Sequence, residues 1–239
     1  MPHDTLPPLI AVIGCDGSGK STVTQALRLW LMDKGPTCYC HLGKQSGAIG
    51  RKIAQLPLLG RRLDKSIHSK AQKAQTEKGP GLVAASIIYL FSMRRVRRFA
   101  RMMALRRNGN AIISDRFPQI AVPGPMDGLG LANAAHDGFV GFLARRERKH
   151  YEAMVVHAPD LVIRLNIPLD VAIARKPDHR FSSLARKISD VPRLTFQGAP
   201  IVEIDAQQPL ETVLSQARNA IEQRLVMIGK AGNGETWPV

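Results

Sequence analysis

"LIAVIGCDGSGKST", residues 9–22, runs from an unbroken apolar stretch into a glycine-rich turn that ends in Lys-Ser-Thr. The run Leu9–Ile13 has no polar alternation, the pattern of a strand covered on both faces. Gly14-x-x-x-x-Gly19-Lys20-Ser21 then has the spacing of a phosphate-binding loop. Its glycines let successive backbone N–H groups point inward at phosphate oxygens, and a following helix adds the positive end of its dipole. In that geometry Gly14, Asp16, Gly17, Ser18, Gly19, Lys20, Ser21 and Thr22 form the cradle. Lys20 reaches the β- and γ-phosphates of a nucleotide, and the Ser21 hydroxyl ligates Mg²⁺. Cys15 reads as a small filler of the turn rather than a reactive thiol. Asp16 is the odd member, because a carboxylate among groups built to hold anions must serve something other than the cradled phosphates.

Working outward, strand-like runs alternate with helical patterns. Ser21–Lys34 reads as a helix closed by Gly35-Pro36, and Thr37–Leu42 as a short strand. Leu82–Arg107 is one long helix ended by Asn108-Gly109, and Ala111–Ser114 a buried strand followed by a Gly/Pro-rich loop. Residues 131–157 read as helical, and Leu161–Ile167 as a strand. A helix near 169–176, a basic segment to about 190, a last strand Ile201–Ile204 and a helix over about 209–228 complete the pattern. Five short strands interleaved with helices predict an α/β fold, a three-layer sandwich around a five-stranded parallel sheet. One domain spans 1–228, with helices and loops over 43–80, a basic lid at about 176–190 and a disordered tail over 229–239.

The chain has 239 residues, three cysteines, 34 Lys+Arg and 19 Asp+Glu, giving a net charge of +15. This excess favours anionic partners. No secretory leader is legible at the N-terminus, and the apolar run Leu82–Met93 is about half the ~20 residues of a membrane span. A cytoplasmic protein with reduced thiols and no membrane span is expected. Aromatics are 5% of the chain and sparse among the arginines, which argues against nucleic acid as the partner.

Two further clusters carry chemistry. Asp115 and Arg116 end the strand beside the glycine turn, where the carboxylate suits Mg²⁺ and the guanidinium an acceptor phosphate. Seven arginines fall between 94 and 107 with no acid among them. Helical geometry puts Arg94, Arg97, Arg98 and Arg101 on one stripe and Arg95 on the apolar arc. A buried arginine needs an anion, either a structural carboxylate or a substrate phosphate, and the neighbouring glycine turn and Arg116 favour the phosphate. Arg175, Lys176, Arg180, Arg186 and Lys187 form a basic segment able to close over a triphosphate. A switch GTPase is disfavoured. Asp127-Gly-Leu-Gly130 lies deep in a loop, and Arg175-Lys-Pro-Asp178 begins with the wrong residue.

Taken together, "GCDGSGKST", "FSMRR" at 91–95, "ISDRF" within 112–117, "PDLVIRLNIPLDVAIARK" at 159–176 and "IVEIDAQQPLETV" at 201–213 resemble the thymidylate kinase family of P-loop nucleoside monophosphate kinases. Phe91-x-x-x-Arg95 stands 21 residues before Arg116, as in that family's pattern. The resemblance implies ATP and Mg²⁺, a small anionic acceptor with dTMP first among them, and allows a homodimer. It assigns Lys20, Arg95, Arg116 and Arg180 to catalysis, Arg175 to the donor nucleotide, and Ser21 and Asp115 to the metal. On the acceptor side it places Asp16 on the sugar hydroxyl, Phe91 on the base, and Arg94, Arg95 and Arg116 near the phosphate. The chain departs from the family after the second strand, where "HLGKQSGAIGRKI" replaces Arg-Glu-Pro-Gly-Gly-Thr, and after Asp-Arg-Phe, where "PQIAVPGPMDG" follows. The donor half is kept and the acceptor half remodelled, which leaves another nucleotide, a nucleoside or a sugar phosphate open as the acceptor.

Overall fold

The computed structural model describes residues 6–43 and 79–231. The expected helices and loops of 44–78 and the end of the expected tail, 232–239, lie outside the described residues. Strand β1 is Leu9–Gly14, followed by helix α1 (Lys20–Met32) and β2 (Thr37–His41). Helix α2 (Leu82–Arg107) leads to β3 (Ala111–Asp115), and α3 (Gly138–Val155) to β4 (Leu161–Asn166). Helices α4 (Leu169–Arg175) and α5 (Phe181–Asp190) precede β5 (Ile201–Asp205) and α6 (Leu210–Ala231).

The five strands pair in parallel in the order β2-β3-β1-β4-β5. The β1 strand is central because both of its faces are apolar. Ile10 and Val12 pack on one side with Leu27 and Leu31 of α1 and Leu214 and Ile221 of α6. Leu9, Ala11 and Ile13 pack on the other side with Phe99 and Met102 of α2 and Tyr151 of α3. Chain order reverses at β1, so its C-terminal end opens into the crevice where such sheets bind ligands. The glycine turn sits in that crevice.

Several expectations are corrected. The helix expected over 131–157 starts only at Gly138. Leu131 and Ala134 are instead buried under α2 in a turn whose amides at Gly130 and Leu131 donate to the buried Glu147 carboxylate. The basic segment near 190 contains a regular helix, α5, anchored by buried Leu184. The last helix continues through Gly229, Lys230 and Ala231, where the tail was expected to be disordered. No helix among the described residues is long and apolar enough to cross a membrane.

Candidate active site

The cradle forms as its residue types require. Gly17 (φ 88°) and Gly19 (φ 83°) adopt left-handed backbone, which glycine enters without steric cost. The Ser18 hydroxyl turns inward and donates to the Cys15 carbonyl at 2.9 Å. Cys15 is buried in the core as filler. Helix α1 opens at Lys20 with no acid in its first turn, so its positive end is left for an anion. Ser21 and Thr22 are exposed there, while Lys20 is buried. The Lys20 ammonium donates to the Cys15 carbonyl at 2.5 Å. Burial lowers its pKa, with the Arg116 charge adding to the effect. A phosphate would give this ammonium the counter-charge that a carbonyl does not.

A Cβ on Gly14 would lie 2.5 Å from Ser18 Oγ and 2.6 Å from the Leu165 carbonyl oxygen of β4. The backbone oxygen cannot swing away. Gly14→Ala is therefore expected to push the turn off β4 and abolish the thermal stabilisation given by Mg²⁺-ATP, measured by differential scanning fluorimetry.

Asp115 ends β3 in register with Val12. Its Oδ2 faces His41 Nδ1 at 3.1 Å and accepts from the Tyr39 hydroxyl at 3.5 Å. Burial pushes this carboxyl up, but His41, Lys20 and Arg116 outweigh it and leave the pKa lowered. Its Oδ1 is buried and has no hydrogen-bond partner among the described residues. An orphaned carboxylate oxygen next to the Lys20 charge fits a divalent cation, with Ser21 exposed at the cradle to join it. No group of three or more His, Cys, Asp or Glu among the described residues forms a cage. Mg²⁺ at a nucleotide site needs no such cage, because it takes most of its ligands from phosphates and water.

Asp16 is held by protein cations. It bonds to Lys187 Nζ of α5, and Arg116 Nη2 donates to its Oδ1 at 3.3 Å. His179 Nε2 stands 4.0 Å away. The Lys187–Asp16 contact joins residues 171 positions apart and ties the α5 segment to the mouth of the cradle. Burial raises the Asp16 pKa, but the Lys187 hydrogen bond and the Lys187, Lys20 and Arg116 charges bring it down to about 2. A carboxyl depressed in the folded state stabilises the fold above its unfolded value of 3.8 and loses that stabilisation as pH falls through 2. Asp16→Asn is thus expected to be less stable than wild type to urea at pH 7, with the difference vanishing as pH falls from about 4 towards 2.

Arg95 is buried, as its place on the apolar arc of α2 predicts, and its anion in the structure is a protein carboxylate, one of the two partners expected for it. Its Nε donates to the Leu42 carbonyl at 2.7 Å, and its Nη1 to the Asp127 carbonyl at 3.0 Å and the Tyr151 hydroxyl at 2.7 Å. Its Nη2 pairs with the Asp127 carboxylate. Arg116, in left-handed backbone (φ 69°), reaches the same carboxylate with Nη1 at 3.8 Å. Its pKa is raised, chiefly by Asp127.

The other expected residues are dispersed. Arg94 is exposed and Phe91 half-buried on α2. The basic stripe holds for Arg94, Arg97 and Arg101, whereas Arg98 turns in to donate to the Gly43 carbonyl at 2.8 Å. Arg175 Nη1 bonds the Gly17 carbonyl at 3.2 Å and the Ala206 carbonyl at 3.1 Å, bracing the cradle from behind. Arg180 is exposed at the start of α5. Sequence reasoning did not single out Asp127 or His41 for the site, and it did not pair Lys187 with Asp16.

No protein-family model matches the chain. It is 41% identical over 221 residues to a protein named "uncharacterized ATP-binding protein YghS" of Escherichia coli, covering 91% of this chain and 93% of that protein. It is 27% identical over 223 residues to a "probable thymidylate kinase" of Pyrobaculum aerophilum, covering 90% and 96% of the two chains. Among solved structures, deoxyadenosine kinase from M. mycoides with bound dATP has the same fold, with a TM-score of 0.50 at 14% identity, covering 89% of this chain and 98% of that one. The chain belongs to the family of the Escherichia coli protein YghS, and its likeness to a thymidylate kinase extends over most of its length.

Proposed function

We propose that the protein transfers the γ-phosphoryl group of ATP to a small acceptor of the nucleoside or nucleotide class. The observation that carries this reading is the pairing of a buried Lys20 in the glycine cradle with an Asp115 Oδ1 that has no partner among the described residues, on the adjacent strand end. Phosphoryl transfer asks for positioning and charge neutralisation more than covalent chemistry. The cradle amides and Lys20 would hold the donor phosphates. Ser21 and Asp115 would hold Mg²⁺, which supplies charge neutralisation at the β- and γ-oxygens when bound. Lys187, Arg175 and Arg180 stand on the α4–α5 side of the cradle, where they would close over the donor phosphates and exclude water.

The names of its relatives support ATP as donor and a kinase activity. Thymidylate enters the panel as the acceptor that the distant relative and the sequence resemblance suggest. The test offers Mg²⁺-ATP with a panel of nucleosides, nucleoside monophosphates, sugars and sugar phosphates while ADP release is followed. Acceptor-stimulated release is expected. Release indifferent to every acceptor but stimulated by DNA or anionic lipid would contradict the reading.

A further inference from the structure

An acceptor that carries a phosphate needs a cation free to receive it. Among the described residues, the two arginines that could do so beside the cradle, Arg95 and Arg116, already share one carboxylate. Asp127 takes Arg95 Nη2 on Oδ1 and faces Arg116 Nη1 with Oδ2 at 3.8 Å, while Asp16 occupies Arg116 Nη2. Asp127 is 6% exposed and is not carried on a loose segment. Gln119 Nε2 ties its loop to the Val122 carbonyl at 2.6 Å and the Met126 carbonyl at 2.9 Å, and Val122 N returns to Gln119 Oε1 at 2.8 Å. Met126 and Leu129, on either side, are buried in the α2–α3 core. Asp127 takes left-handed backbone (φ 66°), which aspartate tolerates better than most residues. A Cβ on the next residue, Gly128, would fall 2.0 Å from the Val122 carbonyl oxygen, so the loop closes tightly at this point. The carboxylate is therefore a fixed part of the site rather than a gate waiting to be displaced.

We propose that Asp127 stands where an acceptor phosphate would bridge Arg95 and Arg116, and that the acceptor is consequently an uncharged hydroxyl compound, with nucleosides the first class to test, rather than its monophosphate. The inference rests on the phosphotransferase reading above and deepens it. In the reaction the acceptor hydroxyl oxygen bonds to the γ-phosphorus of ATP. The bond from that phosphorus to the β–γ bridging oxygen breaks, its electron pair leaves on ADP, and the hydroxyl proton is released to water. A neutral acceptor brings no phosphate of its own, so the arginine pair keeps its internal counter-ion throughout.

The experiment uses the full chain with Mg²⁺-ATP and matched pairs, each a nucleoside or sugar with its own monophosphate, followed by ADP release. The unphosphorylated member of the best pair is expected to have at least a tenfold higher kcat/KM. Asp127→Asn keeps an acceptor oxygen for Arg95 but removes the charge. It is expected to lower KM for the monophosphate about tenfold and narrow that preference. Equal or better use of the monophosphate by wild type overturns the inference while leaving the kinase reading intact, and this comparison stands even if the variant fails to fold. A folded Asp127→Asn protein with an unchanged ratio overturns it as well. Absence of stimulation by every compound, with ATP shown to bind, overturns both.

Discussion

Lys20→Met lowers ATP-dependent phosphoryl transfer by about 10²–10³-fold, the loss typical of removing one preorganised charge from a transferring group. The same substitution leaves the melting temperature unchanged or raises it. Lys20 is buried with one hydrogen bond, to a carbonyl, and burial lowers its pKa more than the nearby Asp16 and Asp115 charges raise it, so the folded protein without ligand bears a net desolvation cost of the ammonium. A methionine of similar shape removes that cost and keeps the packing beneath α1. Opposite movements of turnover and stability in one variant distinguish a residue kept for ligand chemistry from one kept for the fold. Steady-state ADP release and thermal unfolding of the same preparation measure both.

Asp127→Ala destabilises the protein by about 3–5 kcal/mol, because it leaves the Arg95 guanidinium buried and uncompensated. In a chain of this length that corresponds to a fall in melting temperature of about 10 °C. Arg95 keeps its bonds to the Leu42 carbonyl and the Tyr151 hydroxyl, but neither carries a formal negative charge. The double variant Arg95→Met with Asp127→Asn is expected to recover part of the loss, since no charge is then left buried without a counter-charge and asparagine tolerates the left-handed backbone at 127. Urea titrations of the single and double variants check both expectations.

The centre of the sheet was legible in the sequence because β1 and β3 are buried on both faces and read as short apolar runs bounded by Gly, Pro or charged residues. Leu9–Ile13 reads as a strand without knowledge of its neighbours, and the glycine turn identifies the sheet end that carries the site. Helical geometry also placed Arg95 inside. Its counter-ion was harder to read, because Asp127 sits in an irregular loop whose path is set by Gln119 and by the burial of Met126 and Leu129. No periodicity announces such a position. The Asp16–Lys187 contact was illegible for a similar reason, as it joins opposite ends of the chain through the crossover of β1 and the α4–α5 segment.

One signal could have been used. In α3, Leu143, Glu147 and Tyr151 follow one another at i, i+4 and i+8, which puts an acid on the apolar face. In the structure Glu147 is fully buried and accepts from Ser92 of α2 as well as from the loop amides of Gly130 and Leu131. A buried acid beside a long glycine-rich loop forecasts that the loop is bonded down. The same loop holds Asp127 against the arginines.

The most direct test of the central claim follows the label of ATP carrying a radioactive γ-phosphate. Wild-type protein with Mg²⁺ and the acceptor panel is predicted to move the label onto one acceptor, and Lys20→Met to leave it on ATP. Label released only as inorganic phosphate, at a rate no acceptor changes, would contradict the account.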